Sequence, residues 1–324
     1  MRRFAFLVFL VLVAAFLWLF AAPLPGVRDA AVPHPAKTYE EAVARIRKDS
    51  ERDGTDVSPD CRDILMDHGR RTGRVVLFFH GITNCPAQFL ALGTELYRRG
   101  VTVYIPRLPH HGLRNRMTED LAHLDAQEMA AFAEEHLDVA RGLGDTMIVS
   151  GLSLGGVMAA WLGQERADVD RAAPVAPLLG PSLAPAPLAR PIARVGLRWP
   201  NRFLWWDEKK KEDLDGPRRV YPRFSTRAMA EILRLGAAVE DRAARRPPAA
   251  RELILITVGA DPAVSNPAIA KLAEAWRARA PGRVETYEFP ESLELGHDLI
   301  DPEQPYARTN VVYPVLIDKI LGPR

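Results

Sequence analysis

The chain has 324 residues, 48% hydrophobic and 26% charged, a balance that can bury a sizeable core and excludes an intrinsically disordered protein. Its net charge is +2, and with Arg2 and Arg3 set aside the remainder is neutral, so nothing biases it toward nucleic acid. It contains no internal repeat, phosphate-binding glycine loop or dinucleotide fingerprint. The nearest thing to a metal pair, His110-His111, is two adjacent loop side chains that would face apart.

Arg2-Arg3 is followed by Phe4 to Ala22, nineteen residues without a charge or a proline. That run is long enough to cross a bilayer as a helix and exceeds the roughly 7–15 residues of a signal-peptide core. Phe20-Ala21-Ala22 is followed by Pro23, so no clean cleavage site forms. Residues 1–24 therefore read as a transmembrane helix, an uncleaved single-pass anchor. The two arginines would hold its start in the cytoplasm and leave the remaining chain on the extracytoplasmic side. A cleaved signal peptide is the alternative. The proline-rich stretch from Pro23 to Pro35 reads as a linker, within a lead-in over residues 25–60. Export would place the two cysteines, Cys61 and Cys85, in an oxidising compartment that favours a disulfide; a reactive free thiol is the other reading.

The domain from 61 to 324 alternates strands and helices. Val75 to Phe79 reads as a buried strand running into His80-Gly81-Ile82-Thr83-Asn84, and Ala87 to Arg99 as the first helix. Val101 to Ile105 reads as a strand and Leu121 to Arg141 as a long helix. Thr146 to Ser150 is another buried strand. It opens Gly151-Leu152-Ser153-Leu154-Gly155, after which the small apolar run Gly156 to Leu162 reads as a helix packed on a sheet. The Gly-x-Ser-x-Gly pattern thus sits between a strand and a helix, the setting of a nucleophile elbow. Such a turn strains the serine backbone and exposes its hydroxyl, while the flanking glycines remove side chains that would collide. The helix also aims free backbone N–H groups at an anion forming beside the serine.

Residues 178–250 interrupt the alternation and read as an inserted cap. Prolines crowd Pro181 to Pro200, and three of the six tryptophans fall within eight residues: Trp199, Trp205 and Trp206, with Phe203 among them. These four aromatics would line a substrate pocket or form the small core that a cap needs. Lys209-Lys210-Lys211 reads as a solvated loop tip, and Thr226 to Leu235 as a helix.

Leu253 to Val258 is strand-like and ends in Gly259-Ala260-Asp261-Pro262; Pro267 to Arg279 reads as a helix. Val284 to Phe289 reads as the last strand, Gly296-His297-Asp298 lies in the loop after it, and Asn310 to Leu321 reads as a helix. A serine hydroxyl needs a base to take its proton and an acid to orient that base. After a nucleophile elbow these follow in the order acid, then histidine, each just beyond a strand. Of the eight histidines only His297 lies downstream of Asp261, which makes it the expected base. Asp261 is the expected acid because it ends a strand. Asp298 and Asp301 are carboxylates that would also serve, although Asp298, adjoining the histidine, would more naturally point away. The expected oxyanion donors are the backbone N–H groups of Ile82 and Leu154, with His80 bracing the loop.

The series His80-Gly81, Gly151 to Gly155, Asp261 and His297 resembles the α/β-hydrolase family, in particular bacterial carboxylesterases and monoacylglycerol lipases. Thr83 to Pro86 echoes their Thr-x-x-Pro turn, and Arg107-Leu108-Pro109-His110-His111-Gly112 their Arg-x-Pro-x-His-Gly segment. The resemblance covers about residues 70–320, least over 178–250, and Gly-Ala-Asp-Pro departs from the more usual Gly-x-x-Asp. It implies an α/β-hydrolase fold, a mostly parallel sheet with helices on both faces and an inserted cap. It further implies hydrolysis of a small-molecule or lipid ester through an acyl-enzyme on Ser153, with no cofactor. An amide-cleaving or acyl-transferring enzyme would use the same residues; a hydrolase-like binding protein with an idle site is the alternative of another class.

Overall fold

A computed structural model of the chain describes residues 22–322 and, before them, Phe4, Phe6, Phe9, Leu10, Val13 and Ala14. In chain order the elements are α1 (Tyr39–Ser50), β1 (Ile64–Met66), β2 (Thr72–Phe79), α2 (Leu90–Tyr97) and β3 (Thr102–Ile105). Next come α3 (Ala126–Ala140), β4 (Gly144–Leu152), α4 (Leu154–Glu165), β5 (Arg171–Val175) and α5 (Ala189–Arg198). The chain continues through β6 (Phe203–Trp205), β7 (Arg223–Ser225), α6 (Thr226–Ala243) and β8 (Glu252–Val258). It ends with α7 (Asn266–Arg279), β9 (Val284–Phe289) and α8 (Thr309–Leu321).

Seven strands form one sheet in the order β1-β3-β2-β4-β5-β8-β9, parallel throughout except for β1, which pairs antiparallel at the edge. The central strands are apolar on both faces, as a sheet covered by helices on either side requires; Val75 to Phe79 and Leu253 to Ile256 are all buried. Because the strands run the same way, their C-terminal ends share one edge. The register Phe79↔Gly151 sets His80-Gly81-Ile82 beside Leu152-Ser153.

The stretch expected as a cap divides in two. Its first half carries α5 and a small separate ladder in which Leu204 faces Phe224. Its second half, α6, packs against α3 and α4 and contributes Ile232, Leu235 and Val239 to the main core. The proline-rich stretch expected as a linker is docked along α3 and α6. Gln127, Glu134 and Asp138 side chains accept the backbone N–H groups of Arg28, Ala31 and His34. Arg234 and Arg242 donate to the carbonyls of Pro25, Gly26 and Val27. Proline leaves backbone carbonyls without helix or sheet partners, and here arginines supply the donors.

The expectation of a membrane-spanning helix, and with it of a single-pass anchor and an extracytoplasmic domain, is corrected. Among the described residues no helix is long and apolar enough to cross a membrane. The longest helix among the described elements, α6 with 18 residues, carries Arg227, Glu231, Arg234, Glu240, Asp241 and Arg242, charges that a lipid interior penalises heavily. Most of the run from Phe4 to Ala22 lies outside the described residues.

Candidate active site

Ser153 caps the N-terminus of α4 with φ 60° and ψ −111°, a left-handed backbone that a non-glycine residue holds only under strain. Its N–H donates to Val175 at 3.0 Å, and its carbonyl accepts from Leu178 at 3.2 Å, so the turn is clamped to the end of β5. The flanking glycines answer to close backbone approach. A Cβ on Gly155 would lie 1.9 Å from the Phe79 carbonyl oxygen, and one on Gly151 2.4 Å from the carbonyl of Gly155. Ser153 is largely buried rather than exposed, because segments after β5 reach across this edge of the sheet.

Beyond β8, Asp261 is buried, and its Oδ1 accepts the N–H groups of Ala263 at 2.8 Å and Val264 at 3.1 Å. His297, in the loop after β9, lies with Nδ1 at 2.8 and 3.0 Å from the two Asp261 oxygens. A carboxylate accepts, so Nδ1 carries a proton, and the neutral tautomer that this contact selects has its lone pair on Nε2. The ring of Tyr306 fills the space where a Cβ on Gly296 would stand, at 2.1 Å, so this loop needs glycine immediately before His297.

The two other carboxylates are engaged elsewhere. Asp298 points away from the imidazole, its Oδ2 accepting from Gln88 at 2.9 Å, Gln304 at 3.0 Å and Asn84 at 3.3 Å. Asp301 pairs with Arg219 at 2.5 Å. Neither Gln88 nor Gln304 stood out in the sequence. A lone glutamine in a helical turn carries no local sign of a partner two hundred residues away.

On the opposite side stand Ile82 and Leu154. Leu154 is the first residue of α4, so its N–H has no partner within the helix. The Ile82 carbonyl lies 2.6 Å from Nε2 of His111, whose Nδ1 is 2.6 Å from the Pro109 carbonyl. Burial holds the His111 imidazole down to about 4; near neutrality it therefore carries one N–H and can donate to one of the two carbonyls. His80 accepts from Leu108 N–H at Nε2 and so donates through Nδ1 to the Gly81 carbonyl at 3.0 Å. Burial pushes its imidazole well below its ordinary range. It spans the loops after β2 and β3 as a neutral ring.

Cys61 and Cys85 form a disulfide next to this loop. Of the four aromatics expected at a pocket, Trp199 is exposed, Phe203 lies under the Arg223 guanidinium at 4.5 Å and Trp205 is half-buried in β6. Trp206 packs on Phe224 and donates to the Thr83 hydroxyl at 3.0 Å. The backbone of Tyr221 also reaches Thr83, donating to its carbonyl at 2.8 Å. Among the described residues no group of three or more His, Cys, Asp or Glu could hold a metal ion.

A parallel sheet wrapped by helices, a strained serine at a strand-to-helix turn and a histidine paired to a strand-end aspartate define a hydrolase of the α/β class. The chain belongs to the α/β hydrolase family, which it matches over residues 76–310. It is lipase- and esterase-like. A thermostable monoacylglycerol lipase from Bacillus sp. (strain H-257) is 30% identical over 100 residues, which are 31% of this chain and 39% of that lipase. The matched stretch thus spans less than half the length of that relative. Among solved structures, one of metagenome-derived lipolytic enzymes is 18% identical with a TM-score of 0.60, covering 82% of this chain and 99% of its own. The monoacylglycerol lipase of Paleococcus ferrophilus is 16% identical with a TM-score of 0.57, over 79% and 98%. A soluble variant of Saccharomyces cerevisiae monoglyceride lipase is 14% identical with a TM-score of 0.58, over 78% and 88%. At these identities the structures share the fold.

Proposed function

We propose that this protein hydrolyses carboxylic esters through an acyl-enzyme on Ser153. The observation that carries the reading is the pairing of His297 Nδ1 with Asp261 at 2.8 Å, on the same sheet edge as the strained Ser153. Ser153 Oγ attacks the ester carbonyl carbon while its proton passes to His297 Nε2, and Asp261 holds the imidazolium that forms. The oxyanion rests on the N–H groups of Ile82 and Leu154, each such donor contributing about 3 kcal/mol to the transition state. The C–O bond then breaks, the imidazolium proton leaves with the alcohol, and water repeats the sequence to free the acid. The likeness to a monoacylglycerol lipase over 100 residues supports a fatty acyl ester as the substrate class.

Labelling by a fluorophosphonate and release of p-nitrophenol from esters of graded chain length test this. Ser153→Ala and His297→Ala should each remove turnover as fully as the double variant, because the residues act as a unit. Asp261→Asn should lose several orders of magnitude. A Ser153→Ala variant that keeps hydrolysing these esters at the wild-type rate would overturn the proposal.

A further inference from the structure

Asp298 follows His297 directly, is buried, and gathers five N–H donors. Its Oδ1 accepts the backbone N–H groups of Ile300 at 3.3 Å and Asp301 at 3.1 Å, which folds its own loop. Its Oδ2 accepts three side-chain amides, and two of them come from the far side of the site. Gln88 donates Nε2 to Asp298 at 2.9 Å while its Oε1 accepts the backbone N–H of Gly81 at 2.8 Å. Asn84 donates Nδ2 at 3.3 Å while its Oδ1 accepts the Cys85 N–H at 2.9 Å. Its own N–H returns to the Gly81 carbonyl at 3.1 Å. The third amide, Gln304, donates at 3.0 Å but belongs to the stretch after His297 itself.

Gln88 is thus a strut with two ends. One end holds the peptide of Gly81, immediately before Ile82, and the other holds the side chain immediately after His297. Gln88 and Asn84 are almost fully buried, so water does not readily replace either bond, and a donor or acceptor left unmatched there is costly. An amide and a carboxylate have fixed bond directions, which sets a separation between the two loops that apolar packing alone would leave loose.

We infer that Gln88 and Asp298 are positioning residues, tying the loop that bears the Ile82 oxyanion donor to the loop that bears His297. The inference rests on the proposed ester hydrolysis and adds how its two halves are kept in register. Misplacement of a reacting group by about 1 Å can cost about a hundredfold in rate, so breaking the strut acts on kcat more than on KM.

The test is a set of variants assayed on one p-nitrophenyl ester. Gln88→Met keeps the length and removes both bonds; Gln88→Glu keeps the bond to Gly81 but turns a carboxylate on Asp298. Asp298→Asn sets an NH2 against the amides of Gln88, Asn84 and Gln304. Each should lower kcat by about tenfold to a hundredfold with KM held within about threefold. Combining Gln88→Glu with Asp298→Asn restores the donor–acceptor pair on the strut while Asn84 and Gln304 still face the NH2. The pair should regain at least about threefold over Asp298→Asn alone, a coupling that separate structural losses do not show. Gln304→Leu removes a bond of similar length from the same carboxylate without cutting the strut, and its kcat should stay within about threefold of wild type. Equal losses from Gln88→Met and Gln304→Leu, or a pair no better than its worse member, would overturn the inference. If Asp298→Asn does not fold, the Gln88→Met and Gln304→Leu comparison decides alone. A wild-type chain that neither hydrolyses esters nor takes the fluorophosphonate would instead sink the ester-hydrolase reading beneath it.

Discussion

The indole N–H of Trp206 donates to the Thr83 hydroxyl at 3.0 Å, joining the insertion between β5 and β8 to the residue that follows Ile82. Arg219 adds a second tie, pairing with Asp301 at 2.5 Å and Glu303 at 2.6 Å in the stretch after His297. The insertion is therefore fastened to both loops that the proposed chemistry uses. Trp206→Phe keeps a ring on Phe224 and deletes only the donor, a loss of about 1 kcal/mol, or about fivefold in rate. The fall in kcat should be the same for acetates and for long-chain esters. A loss that grows with chain length would show instead that the indole lines the acyl pocket.

The elbow glycines offer a test of packing against composition. A methyl on Gly155 would sit 1.9 Å from the Phe79 carbonyl oxygen, whereas one on Gly73 would meet nothing within 4 Å. Gly155→Ala should force β2 and α4 apart and lower the thermal midpoint by at least about 10 °C, or prevent folding, since overpacking against backbone has no flexible neighbour to yield. Gly73→Ala should leave the midpoint within about 2 °C. Equal midpoints for the two variants would contradict the close approach.

The strap over α3 and α6 should matter to stability and not to turnover. A chain beginning at Thr38 loses the backbone donors to Gln127, Glu134 and Asp138 and the carbonyls that Arg234 and Arg242 hold. With buried Val27 and Ala36 also gone, about 3 kcal/mol is expected to be lost, or about 6 °C in midpoint, at unchanged kcat on short esters. An unshifted melting curve would mean the strap adds nothing to the folded state.

Acid should destabilise the protein through its buried histidines. Burial holds the His111 imidazole down to about 4 and that of His136 to about 3, and pushes His80 well below its ordinary value of 6.5. The unfolded chain takes up these protons near pH 6.5 while the folded chain does not. Their contribution is complete above that pH and is lost as pH falls toward 4, with about 3 kcal/mol from His111 alone. Asp63 acts in the opposite sense: burial raises its carboxyl from 3.8 to about 6, so its contribution is present below 3.8 and lost as pH rises through 6. Asp301, raised by burial, and His110, raised by its bond to Glu128, act in the same sense as Asp63. The three histidines are shifted further and outweigh them, so the thermal midpoint should fall from pH 7 to 4.5. His136→Gln should make that fall shallower; an unchanged slope would place the acid sensitivity elsewhere.

Much of the site was legible because it is local. The Gly-x-Ser-x-Gly turn needs only the residues on either side of Ser153, and apolar runs such as Leu253 to Val258 mark buried strands whatever surrounds them. A parallel sheet then brings every strand end to one edge, so the order of Ser153, Asp261 and His297 along the chain already implied a shared site. Some helix limits were legible closely, as with Pro267 to Arg279 against α7 at Asn266–Arg279. Others were not, since α6 runs on from the expected end at Leu235 to Ala243, and α5, Ala189–Arg198, formed where only a proline-rich cap was expected. What only the tertiary structure decided was the choice of partners. Asp261, Asp298 and Asp301 are equivalent carboxylates in the sequence. They differ because Asp261 meets His297 across 36 positions, Asp298 meets amides more than two hundred positions away, and Asp301 meets Arg219. The proline-rich lead-in likewise reads as a spacer until arginines from α6 arrive to take its carbonyls. Propensity acts over a few residues, whereas a buried polar group takes whichever partner the packing of distant loops delivers, and that is a property of the whole fold.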